Sequence, residues 1–67
     1  MKQSQLVILQ IIPRLDSGGA ERTTIDIAAA LGDAGHIALV ASEGGRLEPE
    51  LRATGATLLR LPMASKN

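Results

Sequence analysis

The stretch that most limits the folds open to this chain is Leu6-Val7-Ile8-Leu9-Gln10-Ile11-Ile12. It is nearly continuously apolar, rich in β-branched side chains and halted by Pro13. Successive side chains of a strand point to opposite faces, so a run without polar alternation has to be buried on both. Strands of that kind occupy parallel sheets whose faces are covered by helical crossovers. The run therefore predicts a central parallel strand.

The residues after this run fit a crossover. Beyond the loop Pro13 to Gly19, the stretch Ala20 to Ala34 places Ile27, Leu31 and Ala34, with Ile25 and Ala28 beside them, on one helical face. Glu21, Arg22, Asp26 and Asp33 fall mostly on the other, Ala28-Ala29-Ala30 reads as close helix-to-sheet packing, and Gly35 stands where a helix C-cap belongs. Ile37 to Ala41 reads as a second strand, followed by the loop Ser42-Glu43-Gly44-Gly45-Arg46. Leu47 to Thr54, with Pro49 in its first turn and Gly55 as its stop, predicts a short helix, and Ala56 to Leu61 a third strand halted by Pro62. The order strand, helix, strand, helix, strand specifies an α/β fold with a Rossmann-like parallel sheet.

Right-handed crossovers that build a sheet in one direction put both helices on the same face. The other face would be bare, although the first strand is apolar on both sides. The expectation is that residues 1–67 open a longer chain whose later elements cover that face, so that only part of an amino-terminal domain is present.

Composition supports a piece of globular protein. Hydrophobic residues make up 45% and charged residues 21% of the 67 residues, unlike a disordered tail. A domain of this length buries only about 60% of the surface its unfolded chain exposes. The chain has no Cys and no Phe, Tyr or Trp, and no ligand cluster for a structural metal, so the usual supports of a mini-protein are missing. Seven basic residues balance seven acidic ones, which gives no electrostatic case for nucleic acid as a partner. Lys2 before the apolar run and Gly18-Gly19-Ala20 after it resemble parts of a signal peptide, but Gln10 interrupts the core and Arg14 and Asp16 follow it. A cytoplasmic start is expected, without a membrane-spanning segment.

In open parallel sheets, ligands bind beyond the carboxyl ends of the strands. Three loops leave those ends, and each carries a basic residue: Arg14, Arg46 and Lys66. Gly18-Gly19 lies between the first strand and the first helix, and two readings compete there. Glycines permit a tight turn; they also let a phosphate or sugar approach the backbone N–H groups at a helix N-terminus. Glu21, three residues on, can cap the helix by reaching back to the Gly18 amide. Glu43, beyond the second strand, can accept from ribose hydroxyls as in dinucleotide-binding folds, although Arg22 stands where the third fingerprint glycine is wanted. His36 falls on the opposite edge and reads as structural. No paired carboxylates and no Ser/His/Asp arrangement converge on one edge, so no catalytic residue is assigned.

Taken together, "ILQIIPRLDSGGAERTTIDIAAALGDAGH", "ALVASEGGRLEPELRATGA" and "LPMASKN" resemble the amino-terminal start of glycosyltransferase family 4, the retaining GT-B enzymes. "SEGGRL" and "ASKN" are similar to bacterial members that build lipopolysaccharide or other surface polysaccharides. The resemblance implies two facing Rossmann-like halves, of which residues 1–67 are the start of the mostly acceptor-binding one; the carboxyl-terminal, donor-binding half would be supplied by the rest of the chain. It implies transfer of a sugar from a nucleotide diphosphate-sugar, a substrate and not a cofactor, to an acceptor hydroxyl with retention at the anomeric carbon. Gly18 and Gly19 would meet the donor diphosphate or the acceptor through their backbone, with Arg14 and Lys66 as candidate cations. A lipid-linked acceptor would bring such a cytoplasmic enzyme to the inner face of the membrane. By itself the 67-residue stretch is expected to be inactive. A nucleotide- or dinucleotide-binding domain using Gly18, Gly19 and Glu43, and a non-catalytic fragment associating through its open sheet face, are the other readings.

Overall fold

The computed structural model describes residues 4–62. Its elements are β1 (Val7–Ile11), α1 (Gly19–Asp33), β2 (Ile37–Ser42), α2 (Glu48–Ala53) and β3 (Thr57–Arg60). The strands form a parallel sheet in the order β1-β2-β3. This is the α/β arrangement expected of an incomplete Rossmann-like fold. The third of the predicted loops at the carboxyl edge, with Lys66, lies outside the described residues.

The helices stop where their glycines are. Gly35 (φ 86°) and Gly55 (φ 90°) adopt the left-handed conformation that ends a helix without a Cβ penalty. Each turn then leads directly into the next strand.

β2, and not β1, is the central strand among the described residues. Ala38 and Val40 are buried on the helix-bearing side, with Ile8, Gln10 and Leu58 beside them on the flanking strands. The polar residue in the β1 run has a partner there: Gln10 Nε2 donates to the Thr24 carbonyl of α1 at 3.1 Å. Leu15, Ile25, Ala28, Leu47, Leu51 and Ala56 complete the core on this side.

The opposite face is open. Val7 stands beside Ile37, Leu9 beside Leu39 and Thr57, and Ile11 beside Ala41 and Leu59, by the strand register. Val7, Leu9, Ile11, Ile37, Leu59 and, further along, Leu61 are all exposed. The bare face expected from right-handed crossovers is therefore present, and β1 is half-buried on one side only.

The buried stripe of α1 differs from the periodicity reading. Thr24, Ile25 and Ala28 face the sheet, whereas Ile27 and Ala34 are exposed and Leu31 is partly buried. Ile25 and Ala28 of the expected stripe do face the sheet, so the helix is rotated by only part of a residue step, roughly 60°. Two contacts hold it in that orientation. Thr24 supplies its carbonyl to Gln10, and Arg22 reaches across to Glu50 of α2 at 2.7 Å. Of the alanine series, Ala28 is fully buried, Ala29 half-buried and Ala30 exposed, so the close packing rests on Ala28 alone.

Candidate functional site

The carboxyl edge of the sheet is built from two loops laced together. Residues 12–18 leave β1 and residues 43–47 leave β2. Leu15 donates its N–H to the Gly44 carbonyl at 3.1 Å and accepts from Leu47 N–H at 2.7 Å. Glu43 N–H and the Ser42 hydroxyl both donate to the Pro13 carbonyl, at 2.9 and 3.2 Å. Leu15 itself is fully buried, so the first loop is pinned by its backbone and by an apolar anchor. The two loops form one hydrogen-bonded rim.

Glycine is required at one place in this rim because of space. A Cβ on Gly45 would lie 2.7 Å from the carbonyl carbon and oxygen of Leu15, closer than packed atoms approach. Gly18 and Gly19 are different. Gly18 is extended (φ 162°, ψ 166°), a conformation open to any residue, and a Cβ there would meet only the movable Glu21 carboxylate. Gly19 begins α1, and a Cβ on it would meet nothing within 4 Å. The turn does not need either glycine for its backbone conformation; the space over Gly19 is open to approach, whereas the Glu21 carboxylate lies over Gly18.

At that point the helix offers donors. The first helical bond runs from Arg22 N–H to the Gly18 carbonyl at 3.0 Å, so the N–H groups of Gly19, Ala20 and Glu21 have no carbonyl one turn earlier to bond. With the positive end of the helix dipole, they favour an anion. The cap expected from Glu21 is not made: no hydrogen bond joins its carboxylate to the Gly18 amide among the described residues, although it lies over Gly18.

Arg14 pairs with two acids of the rim. Its Nε donates to Asp16 Oδ2 at 3.1 Å, and its Nη1 lies 3.7 Å from Glu43 Oε1. The Asp16 hydrogen bond and charge, reinforced by Glu43, raise the guanidinium pKa above its ordinary value. The same hydrogen bond from Arg14, with that from the Arg46 N–H, holds Asp16 below the usual carboxylate range. Arg14 therefore braces the rim with its charge already matched by acids, and the Glu43 carboxylate belongs to the same cluster.

Arg46 is the cation that sequence reasoning does not single out. It is exposed and makes no ion pair among the described residues, while its N–H bonds Asp16 Oδ1 at 3.3 Å and so ties its loop to the one that leads into Gly18. A signal is present in the sequence, since Arg46 stands in one of the loops that leave strand carboxyl ends. That its guanidinium makes no ion pair is visible only in the folded chain.

The opposite edge has a separate cleft of about 360 Å³ lined by Gly32, Asp33, His36, Thr54 and Gly55, among others. It lies at the carboxyl ends of the helices, away from Gly18-Gly19. His36 serves the fold there: its Nδ1 accepts from Leu6 N–H at 3.0 Å, and its N–H donates to the Leu31 carbonyl at 2.9 Å. No cluster of three or more His, Cys, Asp and Glu able to hold a metal occurs among the described residues. No helix there is long and apolar enough to cross a membrane.

Comparison of the chain with protein-family models, with curated proteins and with solved structures yields no match.

Proposed function

We propose that residues 1–67 form the opening part of the amino-terminal half of a retaining glycosyltransferase, and that their carboxyl edge receives the diphosphate of a nucleotide-sugar donor or the sugar acceptor. The observation that carries this reading is the open space over Gly19, a glycine whose lack of a side chain the turn does not require. A ligand oxygen can approach the backbone N–H groups at the start of α1 without a Cβ in its way. The departing diphosphate gains negative charge during sugar transfer, and preorganised N–H donors and a cation stabilise it.

In this reading Gly18 and Gly19 supply the backbone, and Arg14 and Lys66, with Arg46 beside them, supply the charge; Arg14 also braces the loop through Asp16. Donor recognition and the groups that act at the anomeric carbon belong to a second, carboxyl-terminal half. The likeness of "SEGGRL" and "ASKN" to polysaccharide-building enzymes supports a lipid-linked or surface-polysaccharide acceptor and work at the cytoplasmic face of a membrane. A dinucleotide reading is less well supported, because the Glu43 carboxylate it needs for a ribose faces Arg14.

Backbone amide NMR during titration with UDP or GDP tests the proposal. Shifts concentrated at Gly18, Gly19, Ala20 and Arg46 are expected. Equal shifts with NAD, centred on Glu43, would favour the dinucleotide reading, and no shift at the Gly18-Gly19 loop with any diphosphate would remove the site. In a protein carrying both halves, Gly19→Leu is expected to lower transfer while leaving thermal stability unchanged.

A further inference from the structure

We propose that His36 is a two-position pH switch at the amino edge of the sheet: the neutral ring holds the start of β1, and the protonated ring releases it and turns to Asp33 at the end of α1. The inference goes beyond the sugar-transfer reading and uses none of the groups at the carboxyl edge.

The neutral position is the one in the structure. His36 Nδ1 accepts from the Leu6 N–H at 3.0 Å. A ring nitrogen that accepts carries no hydrogen, so the ring is neutral with its proton on Nε2. Beside this bond, Gln5 Nε2 donates to the Gly35 carbonyl at 3.1 Å, and Ile37 N–H donates to the Leu6 carbonyl at 2.8 Å. The His36 N–H closes the end of α1 on the Leu31 carbonyl. One residue therefore joins the end of α1 and the entry to β2 with the entry to β1.

A proton and the Leu6 N–H compete for the same lone pair. Once Nδ1 is protonated both groups are donors, and the contact turns from attractive to repulsive. Imidazole is the side chain that commonly changes charge between about pH 5 and 8. The bond to Leu6 is thus complete at the alkaline end and lost as the pH falls. The neighbouring bonds of Gln5 and Ile37 do not titrate, so the release is local and β1 stays in the sheet.

The charged ring has room and a partner. His36 and Asp33 line the same cleft of about 360 Å³, together with the small side chains of Ala28, Ala38 and Ala56. α1 has no basic residue in its last turn, and Asp33 makes no ion pair among the described residues. The negative end of the helix dipole and the Asp33 carboxylate both favour an imidazolium there. Asp33 is the only other ionisable residue lining the cleft; Thr54 and Gly55 from the turn after α2, and Gln5 and Leu6 before β1, carry no charge. Leu6 selects the neutral ring and Asp33 the charged one, which makes the two positions alternatives.

NMR of the intact protein, with ¹⁵N at histidine and leucine, reads both positions. At about pH 8 the ring is expected in the Nε2–H tautomer; by about pH 5 it takes a second proton, and the Leu6 amide loses at least about 10-fold in exchange protection relative to Val40. His36→Asn keeps an acceptor near the Nδ1 position that no proton claims, and is expected to hold Leu6 protection constant. Asp33→Asn is expected to move the Leu6 change to lower pH by on the order of half a unit. An Nδ1–H tautomer at the alkaline end, Leu6 protection that survives protonation of the ring, an equal loss in His36→Asn, or an unmoved transition in Asp33→Asn would each overturn the proposal. The tautomer and the Leu6 protection are read in the wild-type protein, so they decide even where a variant fails to fold. No nucleotide enters these measurements, and their outcome is independent of the sugar-transfer reading.

Discussion

Gly45 lies against the backbone of Leu15 so closely that a Cβ would stand 2.7 Å from the Leu15 carbonyl. Because the neighbour is backbone, it cannot rotate away. Gly45→Ala is therefore expected to lower stability by about 1–3 kcal/mol, through displacement of the two-loop rim. Gly19→Ala is expected to be neutral or stabilising by up to about 1 kcal/mol, since it adds a helix former where nothing crowds it. Urea denaturation of the two variants checks the contrast.

Leu15 gives the second prediction. It is a fully buried loop residue packed with Ile25, Leu47 and Leu51. Leu15→Ala is expected to cost about 2–5 kcal/mol, enough to unfold a chain this small. Ile27→Ala, on the exposed side of α1, is expected to change stability by less than about 0.5 kcal/mol. Circular dichroism melts separate a rim held by its apolar anchor from one held by backbone bonds alone.

These two residues also mark how far a sequence can convey such a fold. The strand and helix order is legible because unbroken β-branched runs and helical spacing obey different periods. The bare face follows from crossover handedness alone. Leu15 is not legible, because a single leucine between Arg14 and Asp16 has no period to report its burial. The orientation of α1 escapes periodicity for a related reason: Thr24, a polar residue by composition, is buried through the hydrogen bonds of its hydroxyl and carbonyl, while Ile27 faces out. At the candidate site the edge and the glycines can be read in advance. That Arg14 is paired with two acids, and that Arg46 meets Asp16 through its backbone N–H, depends on how the loops fold over each other.

Glu48 joins three elements and yields the third prediction. Its Oε2 accepts from Gly45 N–H at 2.9 Å, and its Oε1 accepts from Arg60 of β3 at 2.6 Å. The carboxylate is largely shielded, whereas the arginine is mostly exposed. Glu48→Ala removes the partner of a backbone donor and is expected to cost about 1–3 kcal/mol. Arg60→Ala removes only the exposed half of the ion pair and is expected to cost no more than about 1 kcal/mol. Equal losses in denaturant titrations would show that the ion pair, and not the loop bond, holds α2 in place.

Acid should loosen the loops before it melts the core. Asp16 is held below the ordinary carboxylate range by the Arg14 hydrogen bond and then by the Arg46 amide, and Glu50 by its hydrogen bond from Arg22. A carboxylate with a lowered folded pKa binds fewer protons folded than unfolded, so its contribution is complete above the ordinary range and disappears as pH falls through the lowered value. Stability is therefore expected to decline between about pH 5 and pH 2. Both groups are exposed, and the decline is expected to be reduced by salt. Asp16→Asn should flatten part of this slope. Amide exchange at Arg46 should rise earlier in the acid titration than exchange at Val40, because the Arg46 N–H bonds Asp16 itself and Val40 is buried in the central strand. Simultaneous loss of protection at both would mean that the rim and the core unfold as one unit.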